Sequence, residues 1–378
     1  MNFDFNDTEN RLREKIQAVF SDTAADPLEK PALEETETIR KESLKYMKRL
    51  GSTGYLNLCL DGAPYGPATV LAQETLAALS PSLYLCAETT VRILGRLVNT
   101  YGDSAAKAEI LSALTTGELI GAVAFSEAGF DETIADMETV GRPAADGFEV
   151  TGRKTHAVNG PISDWIAVAG KMETEGLPAF FLMKRGSPGL STGSRHRTLG
   201  YDGVAASGIS LDACQISSHH VIRPPERGNL LSTVRLWDNQ VLATAGLGLM
   251  QRTFDAAVGH AKTHQSGGKP LIAYQEIGFK LSEMLTLVQT ARLLVYRAAW
   301  MAEAGEHEAE TLAHCAKVFC TESAEEVNSK ALQILGETGF IGRNPAEQGY
   351  RNARYLQIAG TASELSRMKI GDGLLDFH

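Results

Sequence analysis

The spacing of apolar residues changes twice along the chain. From the start to about Leu119, apolar residues recur every three or four positions, which is typical of amphipathic helices. From about Ile120 to Ile222 the chain instead carries short β-prone runs separated by Gly, Pro and Asp. The helical pattern then returns after Pro224. This order predicts an α+β protein with an N-terminal helical domain (1–119), a small β-barrel or sandwich (120–222) and a C-terminal four-helix bundle (223–378).

The same patterns locate individual elements. Helices are predicted at 11–20, 35–50, 69–79, 104–114, 275–302 and 311–335. Strands are predicted at 147–152, 165–170, 179–183 and 206–211. The chain contains neither G-x-G-x-x-G nor G-x-x-x-x-G-K-[ST]. A Rossmann or P-loop nucleotide site is therefore not expected, and any nucleotide cofactor must be held in another way.

Composition excludes several classes of partner. The net charge of −10 argues against nucleic acid and against an anionic membrane surface. No apolar run reaches the length of roughly 18 residues that a membrane helix needs, and the acidic first residues do not resemble a signal peptide. The five cysteines are odd in number and form no C-x-x-C pair, which predicts reduced thiols and no metal site. We therefore expect a soluble cytoplasmic protein.

Six segments carry more specific information. LIGAVAFSEAGFD, from Leu119, resembles the A-x-T-E-P-x-x-G-S-D strand of the acyl-CoA dehydrogenase family. VTGRKTHAVNG, from Val150, is similar to that family's G-x-K-x-W-I-T-N-G signature. AGLGLMQ, from Ala245, and LIAYQ, from Leu271, match the two helices that follow in the family. ALQILGETGF, from Ala331, resembles A-x-Q-x-x-G-G-x-G-Y, and RNARYLQI, from Arg351, resembles R-D-A-R-I-x-x-I. Six segments in the family's order make the resemblance specific.

The resemblance implies a helical–β–helical subunit that binds FAD between the β domain and the C-terminal bundle, usually in a homotetramer. The flavin positions of the two β-domain signatures correspond to Phe125, Ser126, His156 and Val158. The dinucleotide is clasped across a subunit interface, where the family's Gln and Gly correspond to Gln333 and Gly336. A flavin needs a slot with aromatic or imidazole walls, and His156 stands where the family often has Trp.

The catalytic motif departs from the family. The usual base is the Glu of I-Y-E-G-T-S-E, but this chain reads IAGTASE from Ile358, which places Gly360 or Ala359 at the Glu position. A minority of the family carries its carboxylate on another helix, about ten residues before G-L-M-Q, where this chain has Asp238. A partly desolvated carboxylate there suits proton abstraction, and Trp237 could supply an apolar wall. The alternative for Asp238 is a helix N-cap.

Two further departures concern the flavin. The family's Thr near the reactive flavin nitrogen is Val158. The R-x-x-F-G loop reads HQSGG from His264, so His264 replaces the Arg that meets the pyrophosphate. Loss of a charge-assisted contact weakens a phosphate site by about 1.5–3 kcal/mol, and backbone donors from Gly267 and Gly268 would compensate in part.

Three functions follow. The first is an acyl-thioester dehydrogenase or oxidase, in which Asp238 abstracts the α-proton and a backbone N–H near Gly360 polarises the carbonyl. The thioester is borne by coenzyme A or by a carrier protein, and the electron acceptor is an electron-transfer flavoprotein or O₂. The second is a flavin-dependent oxygenase on the same scaffold, of the kind found in specialised biosynthetic pathways. The third is a non-catalytic member of the family. In all three cases we expect the chain to form a dimer or tetramer.

Overall fold

The computed structural model describes residues 5–23, 26–29, 35–60, 62–128, 137–224 and 230–375. Part of the first β-domain signature (129–131) and the start of the predicted bundle (225–229) lie outside these residues. The five cysteines are free thiols, as predicted. Among the described residues, no helix is long and apolar enough to cross a membrane.

The N-terminal part is helical and is built around two long amphipathic helices. Its helices are α1 (Asp7–Ala18), α2 (Thr36–Gly51), α3 (Pro67–Leu79), α4 (Pro81–Glu88), α5 (Arg96–Tyr101) and α6 (Ser104–Thr115). α1 begins with a capping box, in which Asn6 accepts from the N–H of Glu9 and Glu9 accepts from the N–H of Asn6. Pro81 at the first position of α4 separates it from α3, because proline is tolerated only in the first turn of a helix.

A π-helical segment, Thr89–Gly95, joins α4 to α5. Sequence periodicity did not predict it. Such segments are rare and often lie beside functional sites. It packs over a buried polar cluster, in which Glu88 accepts from the hydroxyl of Tyr55 at 2.7 Å and lies 3.8 Å from the guanidinium of Arg92.

The middle of the chain forms one eight-stranded sheet. Its strands are β1 (Gly121–Ala124), β2 (Val140–Ala144), β3 (Gly147–Val158), β4 (Trp165–Met172), β5 (Pro178–Lys184), β6 (Leu190–Thr192), β7 (Ala206–Ile216) and β8 (Val221–Ile222). The order is β6-β7-β3-β2-β4-β5-β8, and β1 pairs with β4. The pairings are antiparallel except β1–β4 and β2–β4, which are parallel.

The C-terminal part is a helical bundle. It contains α7 (Leu230–Thr263), the hairpin strands β9 (Gln265–Ser266) and β10 (Lys269–Pro270), α8 (Gln275–Ala304), α9 (Ala309–Leu335), α10 (Glu337–Phe340), α11 (Pro345–Ile358) and α12 (Ser363–Leu375). One apolar core joins the N-terminal helices to α7 and to one face of the sheet, and a second lies inside the bundle. The α+β fold class is as predicted. The boundaries at 119/120 and 222/223 stay a proposal, although all eight strands of the sheet lie between Gly121 and Ile222.

Candidate active site

A cavity of about 410 Å³ lies where the three parts of the chain meet. Its walls come from the π-helical segment, the ends of β1 and β3, α7, and the turn after α11. The residues that line it are Leu85, Thr89, Ile93, Val123, Phe125, Ser126, Thr155, His156, Val158, Arg235, Asp238, Val241, Leu242, Tyr355, Ile358, Ala359 and Gly360. Six residues predicted as site residues from sequence are therefore brought together: Phe125, Ser126, His156, Val158, Asp238 and Gly360.

Asp238 occupies the space in front of Gly360. Gly360 has a φ of +66°, which favours glycine. A Cβ atom built on Gly360 would lie 2.6 Å from Cδ1 of Leu242, 2.9 Å from Oδ1 of Asn239 and 3.1 Å from Oδ2 of Asp238. Position 360 thus has no room for a side chain of its own. The carboxylate at this point of the cavity comes from α7 instead.

The environment of Asp238 suits a base. Burial raises its pKa to about 6, against the opposing effect of the positive charges of Arg235 and Lys317. Both cations act on the carboxylate through their charge, and the causes of its pKa shift include no hydrogen bond from a described residue. The structure also excludes the N-cap alternative, because Asp238 lies in the third turn of α7, which the structure describes from Leu230.

The turn after α11 is fixed to α7 on both sides of Gly360. The side chain of Asn239 donates to Oγ1 of Thr361 at 3.0 Å and accepts from the N–H of Thr361 at 3.1 Å. Nη1 of Arg235 donates to the carbonyl oxygen of Gly360 at 3.3 Å. No described residue accepts a hydrogen bond from the N–H of Gly360. This N–H therefore remains available to a ligand.

The β wall is held together by main-chain and ionic contacts. Ser126 pairs with His156 as a β-bridge, and the carbonyl of Ser126 accepts from the N–H of Thr155 at 2.8 Å. Below them Lys154 and Glu127 form a fully buried ion pair at 2.5 Å. Lys154 also donates to the carbonyl oxygen of Phe125 at 3.1 Å. This pair fixes the end of β3 against the segment after β1, and so positions the cavity wall.

Aromatic rings enclose one side of the cavity. The His156 ring stacks on that of His196, with centroids 5.7 Å apart, and its Nε2 lies 3.4 Å from the hydroxyl of Tyr355. Burial and the neighbouring His196 lower the pKa of His156, so the ring is neutral at physiological pH. Val158 places its methyl groups on the same wall. The flat imidazole and apolar surfaces fit a planar ring system.

The other predicted cofactor residues do not line this cavity. His264 is exposed and stacks on His260, with centroids 4.7 Å apart. Gly267 and Gly268, with φ of +56° and +80°, form the turn between β9 and β10. Glycine is the residue that adopts this conformation readily, and it leaves the turn's N–H groups accessible.

Gln333 and Gly336 lie at the C-terminal end of α9. Gln333 is exposed and helps to line a surface groove of about 640 Å³ between α8 and α9. Gly336, with a φ of +57°, follows the last residue of the helix. One chain therefore presents Gln333 and Gly336 at its surface, apart from the cavity around Asp238.

Sequence reasoning missed three residues near Asp238. Arg235 lies one turn before it on α7, and the i, i+3 spacing could have indicated it. Tyr355 and Lys317 gave no such signal, because α11 and α9 meet α7 only in the folded chain. The predicted role of Trp237 is wrong: it does not line the cavity, because successive helix residues point about 100° apart. The described residues contain no group of three side chains placed to hold a metal ion.

Comparisons with known protein families agree with this geometry. Residues 122–214 match the family described as "Acyl-CoA dehydrogenase, middle domain", and residues 238–375 match "Acyl-CoA dehydrogenase, C-terminal domain". A 3-(aryl)acrylate reductase of Clostridium sporogenes is 29% identical over 97% of this chain and 98% of its own length. The human mitochondrial short-chain specific acyl-CoA dehydrogenase is 30% identical over 73% of this chain and 68% of its own. The chain belongs to the acyl-CoA dehydrogenase family.

Solved structures share the fold along the whole chain. Butyryl-CoA dehydrogenase from Megasphaera elsdenii superposes with a TM-score of 0.87 at 22% identity, covering 99% of this chain and 100% of that one. A structure described as PigA with FAD and proline has a TM-score of 0.85 at 20% identity, covering 99% of both chains. The prolyl acyl carrier protein oxidase AnaB has a TM-score of 0.85 at 20% identity, covering 98% and 100%. The cofactor expected from sequence, FAD, is thus present in a structure of this fold.

Proposed function

We propose that this chain is an FAD-dependent oxidoreductase that removes the α-proton of an acyl thioester with Asp238. The observation that carries the proposal is the position of the Asp238 carboxylate. Oδ2 of Asp238 lies 3.1 Å from the point where a side chain of residue 360 would start, and Gly360 is one of the two residues that align with the family's usual Glu. Asp is one methylene shorter than Glu, so the substrate's α-carbon would bind close to α7.

The chemistry of the cavity supports a base. A pKa of about 6 leaves Asp238 ionised at neutral pH and still able to hold a proton briefly. The N–H of Gly360, which has no acceptor among the described residues, is available to the thioester oxygen, where it would stabilise the negative charge that develops after deprotonation. The deeper wall, from Leu85, Ile93 and Leu242, is apolar and suits an acyl group.

The cavity also fits the isoalloxazine ring of FAD, which supplies the acceptor for the β-hydrogen. Phe125, Ser126, His156 and Val158 would hold the ring, with polar contacts from the Ser126 strand segment and a flat surface from His156. Proton removal from the α-carbon leaves an electron pair that forms the double bond as the β-hydrogen leaves as hydride. The reverse direction is the reduction of an α,β-unsaturated thioester, in which the protonated Asp238 returns the proton.

A second copy of the chain completes the proposed cofactor site. His264, Gly267, Gly268, Gln333 and Gly336 would meet the dinucleotide of a neighbouring subunit. The outer face of α8 carries three exposed apolar side chains, those of Phe279, Leu293 and Trp300, exposed by 58%, 52% and 44%. Exposed apolar stripes of this kind mark protein interfaces. We therefore propose a homodimer or homotetramer.

The test is a spectrum of the purified protein followed by anaerobic titration with short-chain acyl-CoA esters and their carrier-protein counterparts. Yellow protein whose flavin absorbance is bleached by a thioester is the expected result. Asp238→Asn should retain the flavin and lose the bleaching, whereas Asp146→Asn, in the exposed turn between β2 and β3, should bleach normally. Bleaching by the Asp238→Asn variant at the normal rate would show that the base lies elsewhere.

A flavin-dependent oxygenase or oxidase is the second candidate, supported by one observation. Val158 lines the cavity where the family has Thr, so it places methyl groups rather than a hydroxyl near the flavin position. Rapid exposure of the reduced protein to air distinguishes the candidates. A transient species absorbing between reduced and oxidised flavin supports the oxygenase, and slow featureless reoxidation supports a dehydrogenase served by an electron-transfer flavoprotein. A colourless protein that cannot be reconstituted with FAD supports the non-catalytic alternative.

A further inference from the structure

A second cavity lies near the start of α9, and its lining does not include Asp238. It has a volume of about 250 Å³ and lies between the start of α9 and the last turns of α12. Exposed side chains of His307, Glu310 and Asp372 stand at its rim, so it reaches the surface. Its inner wall includes His314. These residue types could suggest a metal site, but the described residues contain no group arranged to hold one.

His314 is the unusual member of this wall. It is only 2% exposed, yet its Nδ1 has no hydrogen-bond partner among the described residues. Buried polar atoms are nearly always paired, so each exception requires an explanation. Burial, together with the positive charges of Lys369 and Lys317, lowers the pKa of His314 to about 4. The ring is therefore neutral, and a neutral imidazole can accept a proton at one nitrogen while its other nitrogen carries one.

Lys317 lies one turn further along α9, between His314 and the active-site cavity. It is fully buried, and its Nζ donates to the carbonyl oxygen of Gln357 at 2.9 Å, directly before the turn that contains Gly360. Side chains three residues apart share a helix face, so Lys317 and His314 point to the same side of α9. Lys317 reaches the turn beside Asp238, and His314 reaches the second cavity.

The charges around Lys317 allow it to exchange protons. Burial lowers its pKa to about 8, against the opposing effects of Asp238 on α7, Glu364 on α12 and Glu322 on α9, while Arg367 on α12 lowers it further. Asp238 contributes the largest of the opposing effects. The two side chains interact without a direct hydrogen bond, so a proton passing between them would cross a bridging water.

We propose that Lys317 and His314 conduct to the second cavity the proton that Asp238 removes from the substrate. When Asp238 takes the α-proton it becomes neutral, and the ammonium of Lys317 loses its counter-charge. Lys317 then releases one proton to the acceptor nitrogen of His314, which passes it to solvent in the second cavity. The neutral amine takes the proton from Asp238, which restores the carboxylate and the ammonium. One proton leaves the site, and no other bond or electron pair changes. The pathway rests on the proposed function of Asp238.

The experiment uses the FAD-loaded protein, butyryl-CoA and D₂O at pD 8.5 without oxygen. Two rates are measured: flavin bleaching in the first turnover, and incorporation of deuterium at the α-carbon of butyryl-CoA by mass spectrometry. Flavin bleaching requires only that the α-proton of the substrate is transferred to Asp238. Deuterium incorporation also requires the proton on Asp238 to exchange with solvent while the cavity is closed by substrate. The ratio of the two rates therefore reports on the pathway.

Three variants distinguish proton conduction from structural support. Lys317→Met and Lys317→Arg should each lower deuterium incorporation at least tenfold while bleaching changes less than threefold. Arg keeps the charge and can donate to Gln357, but it does not release a proton, so it remains informative if the Met variant fails to fold. His314→Gln should give an intermediate loss. Lys45→Met, at an exposed position of α2, should match the unaltered protein.

The outcomes separate the two proposals. If Lys317→Arg exchanges deuterium as fast as the unaltered protein, Lys317 acts only through its charge and the conduction proposal is wrong. If butyryl-CoA and the other short-chain thioesters neither bleach the flavin of the unaltered protein nor take up deuterium at the α-carbon, the proposed function is wrong as well. If Asp238→Asn still exchanges, the base has been misassigned, and the pathway that starts from it fails too.

Discussion

The proposed site has two parts that differ in where their residues lie. One is the cavity around Asp238, and the other is the surface that carries His264 and Gln333. Both groups that we propose for proton removal, the Asp238 carboxylate on α7 and the Gly360 N–H in the turn after α11, come from the same chain and line one cavity. The proposed dinucleotide contacts lie instead on an exposed hairpin and at an exposed helix end. Because the two parts lie apart, we expect that substitutions can change the rate of the chemical step and the binding of FAD independently of each other. Changes near Asp238 should alter rates, and changes at His264 or Gln333 should alter FAD affinity and assembly.

The largest expected effect is on the chemical step. We predict that Asp238→Asn lowers the rate of flavin bleaching about 10³-fold, because an amide of the same shape cannot accept the α-proton. FAD content should be unchanged, as measured by the absorbance ratio of flavin to protein. Asp238→Glu is the matched control and should recover part of the rate. Loss of FAD from the Asn variant would contradict the separation of the two regions.

The next effect concerns the cavity wall that we propose to hold the flavin. Lys154→Met should lower the free energy of unfolding by about 3–5 kcal/mol, because it leaves Glu127 buried without its partner. Chemical denaturation of the apoprotein measures this loss. Lys184→Met removes a largely exposed partner of Glu109 and should cost less than about 1 kcal/mol. Similar losses in the two variants would mean that the buried pair does not hold the cavity wall.

A smaller effect is expected at the exposed region. We predict that His264→Arg tightens FAD binding about tenfold, because a guanidinium makes a charge-assisted contact with pyrophosphate. Fluorescence titration of apoprotein with FAD gives the dissociation constant, and bleaching at saturating FAD should be unchanged. Lys262→Arg, two residues earlier, adds a guanidinium without changing the net charge and serves as a control for the guanidinium group itself. A changed bleaching rate in His264→Arg would place this residue nearer the chemistry than we propose.

The smallest predicted effect is the pH dependence of the chemical step. Only the ionised carboxylate accepts a proton, and the pKa of Asp238 is about 6. The bleaching rate should therefore rise with pH, reach half its maximum near pH 6 and fall about tenfold per pH unit below that. Arg235→Met should move the midpoint to higher pH, because the positive charge that stabilises the carboxylate is removed. Stopped-flow measurements between pH 5 and 8 would show either shift, and an unchanged midpoint would exclude Arg235 as an electrostatic partner.

Sequence reasoning identified six of the residues that line the cavity, because family motifs are local. The two β-domain signatures lie on continuous stretches around Ser126 and His156, so the family resemblance alone could assign both stretches to the flavin site. Sequence reasoning could not predict the π-helical segment, because its apolar spacing differs little from that of an ordinary helix. It also missed Tyr355 and Lys317, since contacts between helices far apart in sequence leave no periodic signal.

The sequence by itself determined the class of fold, the family and the absence of the usual catalytic Glu. These depend on the local spacing of apolar residues and on which residue stands at a motif position. Only the tertiary structure brings the carboxylate of Asp238 next to Gly360, where we propose that it replaces that Glu. Along the sequence, residues 238 and 360 are separated by most of the helices of the bundle. They come into contact because Asn239 and Arg235 fix the turn after α11 against α7. Glycine at 360, with its positive φ and no side chain, leaves the space that Asp238 fills.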